Sequence, residues 1–88
     1  MASYGIGEIQ FREHSYQAAA NGFRNALKGD LEPKWTEVWS YINIGKIFDI
    51  TGQRDRAIAE YKLALQTNDD TRGALTEAAK LIQSPYVR

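Results

Sequence analysis

Apolar residues recur along this chain at helical spacing, so that successive segments each present one apolar stripe. Ala19, Phe23 and Ala26, for example, lie three or four residues apart, which places them on one face of a helix. No segment sustains the two-residue alternation that is typical of a strand. The pattern predicts an all-α protein of about five antiparallel helices. The predicted helices cover residues 2–12, 15–28, 34–51, 54–67 and 71–83.

The breaks between these helices carry residues that commonly start or end a helix. Pro33 suits the first turn of the third helix, where a missing N–H costs nothing. Gly52 suits the left-handed residue that ends that helix. Asp69 or Asp70 can accept hydrogen bonds from the N–H groups that open the fifth helix, and Pro85 stops it. Since the connections are short, neighbouring helices should form antiparallel hairpins.

The sequence also repeats itself with a shift of 38 residues. Small residues recur where the two helices of a hairpin must approach closely, and large residues recur where the space between these helices must be filled. The matched pairs are Ile6 with Ile44, Gly7 with Gly45, Ala19 with Ala57, Phe23 with Tyr61, Ala26 with Ala64 and Leu27 with Leu65. This self-similarity predicts two copies of one helical hairpin.

The second copy resembles the tetratricopeptide repeat. Its first helix carries Tyr41, Ile44, Gly45 and Phe48 in the places of that family's Trp, Leu, Gly and Tyr. Its second helix carries Ala57, Tyr61 and Ala64 in the places of the family's Ala, Phe and Ala. Gly52 matches the usual Gly of the turn. The first copy fits less closely, because Gln10 stands where an aromatic residue is usual, and the second lacks its final Pro, with Asp69 there instead.

The resemblance implies one tetratricopeptide-type domain over residues 1–88, a right-handed solenoid of helical hairpins. The implied parts are repeat 1 at about 1–33, a helical extension at 34–37, repeat 2 at about 38–71 and a C-terminal capping helix at about 71–83. The extension accounts for a period four residues longer than the family's ~34, since four residues make about one helical turn. It places Trp35 one turn before Trp39.

In this family the first helix of each repeat lines a concave groove that holds a peptide or protein segment. The matching positions here are Tyr4, Glu8, Phe11, Arg12, Trp39, Ile42, Asn43, Lys46, Asp49, Gly73, Thr76, Glu77 and Lys80. Aromatic residues and Arg are common anchors of binding surfaces. Two interpretations stay open for Trp39 and Asn43: packing or solvation on the one hand, and contact with a ligand on the other.

One ligand class is unfavourable at these positions. Chaperone-binding members of the family grip a partner's terminal carboxylates with a clamp of Lys, Asn and Arg side chains. Here the clamp positions hold Tyr4, Glu8, Asn43, Gly73 and Glu77, so that only the Asn is kept. Two acids would face the partner's carboxylates and repel them. We therefore predict no carboxylate-clamp activity.

Composition narrows the function further. Eleven basic residues balance eleven acidic ones, so the chain lacks the positive charge expected of a nucleic-acid binder. There is no run of like charges to hold a membrane surface and no apolar run long enough to insert into one. The chain has no cysteine, which excludes disulfides and thiolate metal sites. The cellular compartment stays undetermined.

Catalysis is poorly supported by the residues present. His14 is the only histidine and falls in a predicted turn beside Ser15, where a general base would lack a pocket. Glu13 and His14 alone do not make a metal site, and the pair Asp69 and Asp70 is explained by helix capping. We predict a non-catalytic protein without cofactor or metal.

The leading hypothesis is therefore a protein-interaction module that binds a peptide or protein segment in its groove. Two alternatives stay open: a structural oligomerisation or scaffold segment, and an accessory domain of a larger enzyme. The first repeat begins almost at Met1, so we expect a C-terminal fragment of a larger bacterial tetratricopeptide protein. An apolar edge around Ile6, Ile9 and Phe11 would then favour a homo-oligomer or a domain swap.

Overall fold

The computed structural model describes residues 2–29 and 35–87, and within these ranges it contains helices and no strand. The helices are α1 (Ala2–Arg12), α2 (Tyr16–Gly29), α3 (Trp35–Ile50), α4 (Arg54–Gln66) and α5 (Ala74–Gln83), with a short 3-10 turn (Thr71–Gly73) before α5. The predicted all-α class and five helices are confirmed. Pro33 and the first residue of the predicted extension lie outside the described residues.

The connections α1–α2 and α3–α4 are three-residue turns with the same backbone hydrogen bonds. Ser15 N–H donates to the Gln10 carbonyl at 2.8 Å, and Gln53 N–H donates to the Phe48 carbonyl at 2.7 Å. The middle residue is left-handed in both turns, with φ of 64° at His14 and 78° at Gly52. The predicted role of Gly52 is confirmed. Each hairpin closes with its two helices packed side by side.

The connection from α4 to α5 differs from the other two. An α-helix was predicted from residue 71, but α5 begins only at Ala74, because Arg72 and Gly73 are both left-handed, with φ of 57° and 73°. The predicted capping role is confirmed for Asp70, which bonds an N–H in the first turn of α5, whereas Asp69 bonds an N–H of the preceding turn. Asp69 accepts a hydrogen bond from the N–H of Thr71 at 3.0 Å, and Asp70 accepts one from the N–H of Leu75 at 2.8 Å.

The buried apolar residues form two clusters, and α3 contributes to both. One cluster lies between α1, α2 and α3, and it comprises Tyr4, Ala19, Phe23, Ala26, Ile44 and Ile47. The other lies between α3, α4 and α5, and it comprises Val38, Ile42, Ala57, Tyr61, Ala64, Ala74, Ala78 and Leu81. Trp39 and Phe48 pack against both clusters. The third helix is therefore the shared wall of the core.

Two glycines allow an aromatic ring to lie against a helix backbone. A Cβ atom at Gly7 would come within 3.0 Å of the Phe23 ring, and a Cβ atom at Gly45 would overlap the Tyr61 ring. Phe23 and Tyr61 are both fully buried. The matched small and large residues of the sequence repeat therefore meet each other in both hairpins.

Replacing Gly45 by Ala should destabilise the protein, because the new methyl group forces the buried Tyr61 ring to move. The expected loss is about 1–3 kcal/mol of unfolding free energy, as for other overpacked cores. Gly5→Ala is the matched control, since a Cβ atom there meets nothing within 4 Å. This control should raise the unfolding free energy by about 0.5–1 kcal/mol. Urea unfolding followed by circular dichroism measures both, and equal stability of the two variants would contradict the packing described.

Candidate binding surface

The first, third and fifth helices present side chains on one common side of the molecule. The Asn43 amide on α3 donates to the Tyr4 hydroxyl on α1 at 3.0 Å. On the other flank, Lys46 pairs with Glu77 of α5, with Nζ 3.5 Å from Oε2. We call this surface the α1–α3–α5 face. It is formed by the accessible side chains of Glu8, Phe11, Arg12, Trp39, Asn43, Lys46, Thr76, Glu77 and Lys80.

Three of the predicted groove residues lie beneath this face rather than on it. Tyr4 is 4% exposed and Ile42 is fully buried, so both belong to the core that supports the face. The Asp49 carboxylate is also buried, with 1% of its side chain exposed. A partner on the face would therefore reach these residues only through a movement of their neighbours.

Two adjoining depressions cross the face between α1 and α3. Glu8 and Asn43 line both of them. The first depression is completed by Phe11, Arg12 and Phe23, and the second by Tyr4, Trp39 and Arg72. The shared residues place the two depressions side by side. Their lining of rings, an amide and charges of both signs suits a peptide better than a purely apolar ligand.

Trp39 is fixed in place at the side of the second depression. Its indole N–H donates to the Thr71 carbonyl at 2.9 Å, which satisfies the polar atom of a half-buried ring. The Arg72 guanidinium, in the same 3-10 turn, lies over the Trp35 ring at 4.8 Å. The left-handed turn before α5 therefore positions one contact for each tryptophan. Both interpretations left open for Trp39 are compatible with this placement, since the ring packs against both core clusters and is only partly buried.

Tyr4 supports the Asn43 amide from below. Burial is the main reason that its pKa is raised to about 12, and the charge of Glu8 adds to the effect. The hydrogen bond from Asn43 and the charge of Arg72 act in the opposite direction. The hydroxyl therefore stays neutral at physiological pH and holds one N–H of the Asn43 amide.

Asp49 is the most heavily bonded acid among the described residues. It accepts hydrogen bonds from the Tyr61 hydroxyl at 2.7 Å, from Arg54 Nη1 at 3.0 and 3.1 Å, and from the Tyr86 backbone N–H at 3.0 Å. Burial, followed by the bond to Asp49, raises the pKa of Tyr61 far above its ordinary range. These donors satisfy a carboxylate whose isolated burial would be very costly.

Arg54 also caps the C-terminal end of α5. Arg54 Nη2 donates to the Leu81 and Ile82 carbonyls at 2.8 and 2.7 Å. The last carbonyls of a helix lack partners within it, so a cation there is favourable. Arg54 therefore joins the C-terminal end of α5 to the carboxylate of α3.

The chain leaves α5 in an extended conformation and returns to the face. Ser84 has φ of −136° and ψ of 126°, and the next residues carry Tyr86 over α3. The Tyr86 ring lies 5.0 Å from Lys46 Nζ and 6.3 Å from the Phe11 ring in an edge-to-face arrangement. We call residues Ser84–Val87 the C-terminal tail. It contacts three of the predicted groove residues, namely Phe11, Lys46 and Asp49.

Sequence reasoning missed Tyr86, Arg54 and Arg72. Their positions do not follow the helical period, because two of them lie outside α-helices and Arg54 opens one. The one signal available in the sequence was the position of Tyr86 immediately after Pro85. An aromatic residue beyond the end of a helix belongs to no apolar helix face, so it can be buried only by packing against another part of the protein. Lys46 contacts Trp39 as well, with Nζ 5.9 Å from the ring centroid.

The remaining candidate chemistry is sparse. His14 is exposed in its turn, with Nδ1 2.6 Å from the Tyr16 hydroxyl. The described residues contain no group of three or more His, Cys, Asp or Glu side chains that could hold a metal ion. Within the same residues, no helix is long and apolar enough to cross a membrane.

Comparison of the chain with protein-family models, with curated proteins and with solved structures gave no match. The interpretation of the face therefore rests on its own residues: an accessible amide, two rings and paired charges above a rigid core.

The raised pKa of Tyr4 should make stability fall in alkali. The folded protein holds the Tyr4 proton up to about pH 12, whereas an unfolded tyrosine loses its proton near pH 10. The contribution of Tyr4 to the free energy of unfolding is complete below pH 10. It is lost as pH rises through 12, at up to about 1.4 kcal/mol per pH unit. Urea unfolding of wild type and Tyr4→Phe at several pH values measures it. The wild type should lose more stability than the variant above pH 10, and parallel pH profiles would contradict the assignment.

Proposed function

We propose that this chain is a protein-interaction module of the tetratricopeptide type that binds a partner segment across the α1–α3–α5 face. The two turns with identical hydrogen bonds support the repeat, as do the two ring-on-glycine contacts of Phe23 and Tyr61. The role proposed for the chain is binding rather than catalysis, and no cofactor is needed for it.

The observation that carries this proposal is the pair of adjacent depressions bordered by Trp39 and Asn43. Both side chains are held by the protein itself, Trp39 through Thr71 and Asn43 through Tyr4. A prearranged surface loses little conformational entropy when a ligand binds. The Asn43 amide can offer its second N–H and its carbonyl oxygen to a peptide bond, and the indole ring offers a broad apolar contact.

The charges of the face define what kind of segment fits. Lys46 is already paired with Glu77, and Glu8 stands beside Asn43 in both depressions. A free terminal carboxylate would find Glu8 near it and would have to compete for Lys46. The face is therefore better suited to an internal segment of a partner, and Arg12 and Arg72 provide the positive charges that balance Glu8.

Peptides selected against the full chain from a displayed random library should bind on this face. Titration followed by amide and indole NMR signals should perturb Trp39, Asn43 and Arg12, because these side chains line the depressions. Asn43→Ala should weaken binding about tenfold, which corresponds to about 1.4 kcal/mol. Lys62→Ala, at an exposed position of α4, is the matched control and should leave the affinity unchanged. Shifts confined to α2 and α4, or equal effects of the two variants, would contradict the proposal.

The outer side of α1 favours a second candidate function, self-association. Ile6 and Ile9 are 51% and 55% exposed, whereas the matching Ile44 and Ile47 of the second hairpin are 0% and 4% exposed. The buried pair belongs to the cluster that joins α3 to α2. A helix of a second copy that packed on Ile6 and Ile9 would bury them as α2 buries Ile44 and Ile47. The chain would then act as a scaffold or oligomerisation segment.

Replacing both Ile6 and Ile9 by Ser should abolish this self-association without unfolding the protein, because the two side chains are largely exposed. Light scattering over a range of protein concentrations measures the mass, and we expect a dimer of the wild type that the double variant does not form. A wild type that stays monomeric at high micromolar concentration would rule out the scaffold function and leave the peptide-binding proposal intact.

A further inference from the structure

We propose that the C-terminal tail is an internal ligand of the α1–α3–α5 face, and that a partner segment binds there with an aromatic residue that replaces Tyr86. This inference rests on the peptide-binding function proposed above. Beyond that function, the face would recognise an aromatic residue of the partner, and Tyr86 of the tail would compete with it.

The Tyr86 site recognises both a backbone and a ring. The backbone N–H donates to Asp49 Oδ2 at 3.0 Å. The ring lies between a cation and an aromatic edge, 5.0 Å from Lys46 Nζ and 6.3 Å from the Phe11 ring. An aromatic face attracts an ammonium group, and the edge-to-face contact with Phe11 is favourable as well. The site therefore fits any extended segment with a free N–H on an aromatic residue.

The tail can leave this site without exposing an unpaired charge. Asp49 keeps its bonds to Arg54 and Tyr61, and Lys46 keeps Glu77. Phe11 keeps its ring contact with Tyr16 at 5.9 Å. Breaking a buried ion pair is strongly destabilising because a bare charge is left behind, but release of Tyr86 breaks none. Val87 is 81% exposed, so the tail is held mainly through one residue.

The Tyr86 site adjoins the depressions that carry the proposed function. Phe11 lines the first depression and also contacts Tyr86. Asn43, Lys46 and Asp49 follow each other at three-residue intervals on α3, so they span about 9 Å along the helix. About three residues of an extended chain cover that length. A segment that runs from Asn43 to Asp49 would therefore meet the Tyr86 ring.

A tethered ligand competes strongly with a free one. A short tether gives an effective concentration on the order of millimolar, so a weak internal contact is enough to mask the site. Removing the Tyr86 side chain should therefore increase the affinity for a free aromatic peptide, although it removes a contact from the folded protein. A tail that served only to cap α5 would give the opposite result, with lower stability and no new binding.

The test uses a blocked synthetic peptide with the sequence of residues 83–87, added to the full chain. We expect Tyr86→Ala to bind it at least about tenfold more tightly than wild type, in line with the loss of a tethered competitor. The amide signals of Phe11, Lys46 and Asp49 should shift on binding. Tyr86→Phe keeps the ring and should behave as wild type, and Val87→Ala is the matched control in the exposed part of the tail. A peptide with Ala in place of Tyr should not bind.

Equal affinity of Tyr86→Ala and wild type for the tail peptide would overturn the inference, provided that urea unfolding of the variant stays cooperative. Should that variant fail to fold, the wild type gives a second readout through the Tyr86 amide. A library peptide bound at Asn43 should move this signal towards its value in an unfolded chain. If such a peptide binds and the Tyr86 signal does not move, the inference is wrong while the proposed function stands.

Discussion

The buried carboxylate of Asp49 is the interaction on which much of this small fold depends. It lies on α3 and takes hydrogen bonds from Tyr61 on α4, from Arg54 at the start of α4 and from Tyr86 of the tail. Through Arg54 it also reaches the last carbonyls of α5. One charge therefore fixes the relative positions of three helices and the tail, because leaving it unpaired in the core would be very costly.

Comparison of the two hairpins within the chain shows why this charge is tolerated. In the first hairpin the matching positions hold Phe11, Tyr16 and Phe23, where the second has Asp49, Arg54 and Tyr61. Phe11 and Tyr16 meet through their rings at 5.9 Å, whereas the matching acid and base form an ion pair at 3.0 Å. The hydroxyl of Tyr61 then finds an acceptor that Phe23 does not need. All three positions are changed in the second hairpin, so that its arginine and its tyrosine hydroxyl both bond its buried acid.

The helices could be predicted from the sequence because burial of one face imposes a period on it. The glycine turn at Gly52 and the cap at Asp70 followed from local backbone chemistry, which needs no knowledge of distant residues. The start of α5 was missed, since Arg72 is left-handed in a way that its residue type does not favour. Its cation lies over the Trp35 ring, a contact between residues far apart in sequence.

The candidate binding surface was harder to predict than the fold, because a face is defined by what remains accessible after packing. Asp49 was expected on the surface by its register on the third helix, but partners from α4 neutralise it and allow its burial. Tyr86 was not expected at all, since the tail has no periodic pattern of apolar residues. Its position is set by the groups that bind it, namely Asp49, Lys46 and Phe11. The residues that hold the tail are also those that we propose an incoming segment uses. On the proposed function, specificity of the face would be set jointly by α3 and by residues 84–87, and a partner would have to match or exceed the contacts that Tyr86 already makes.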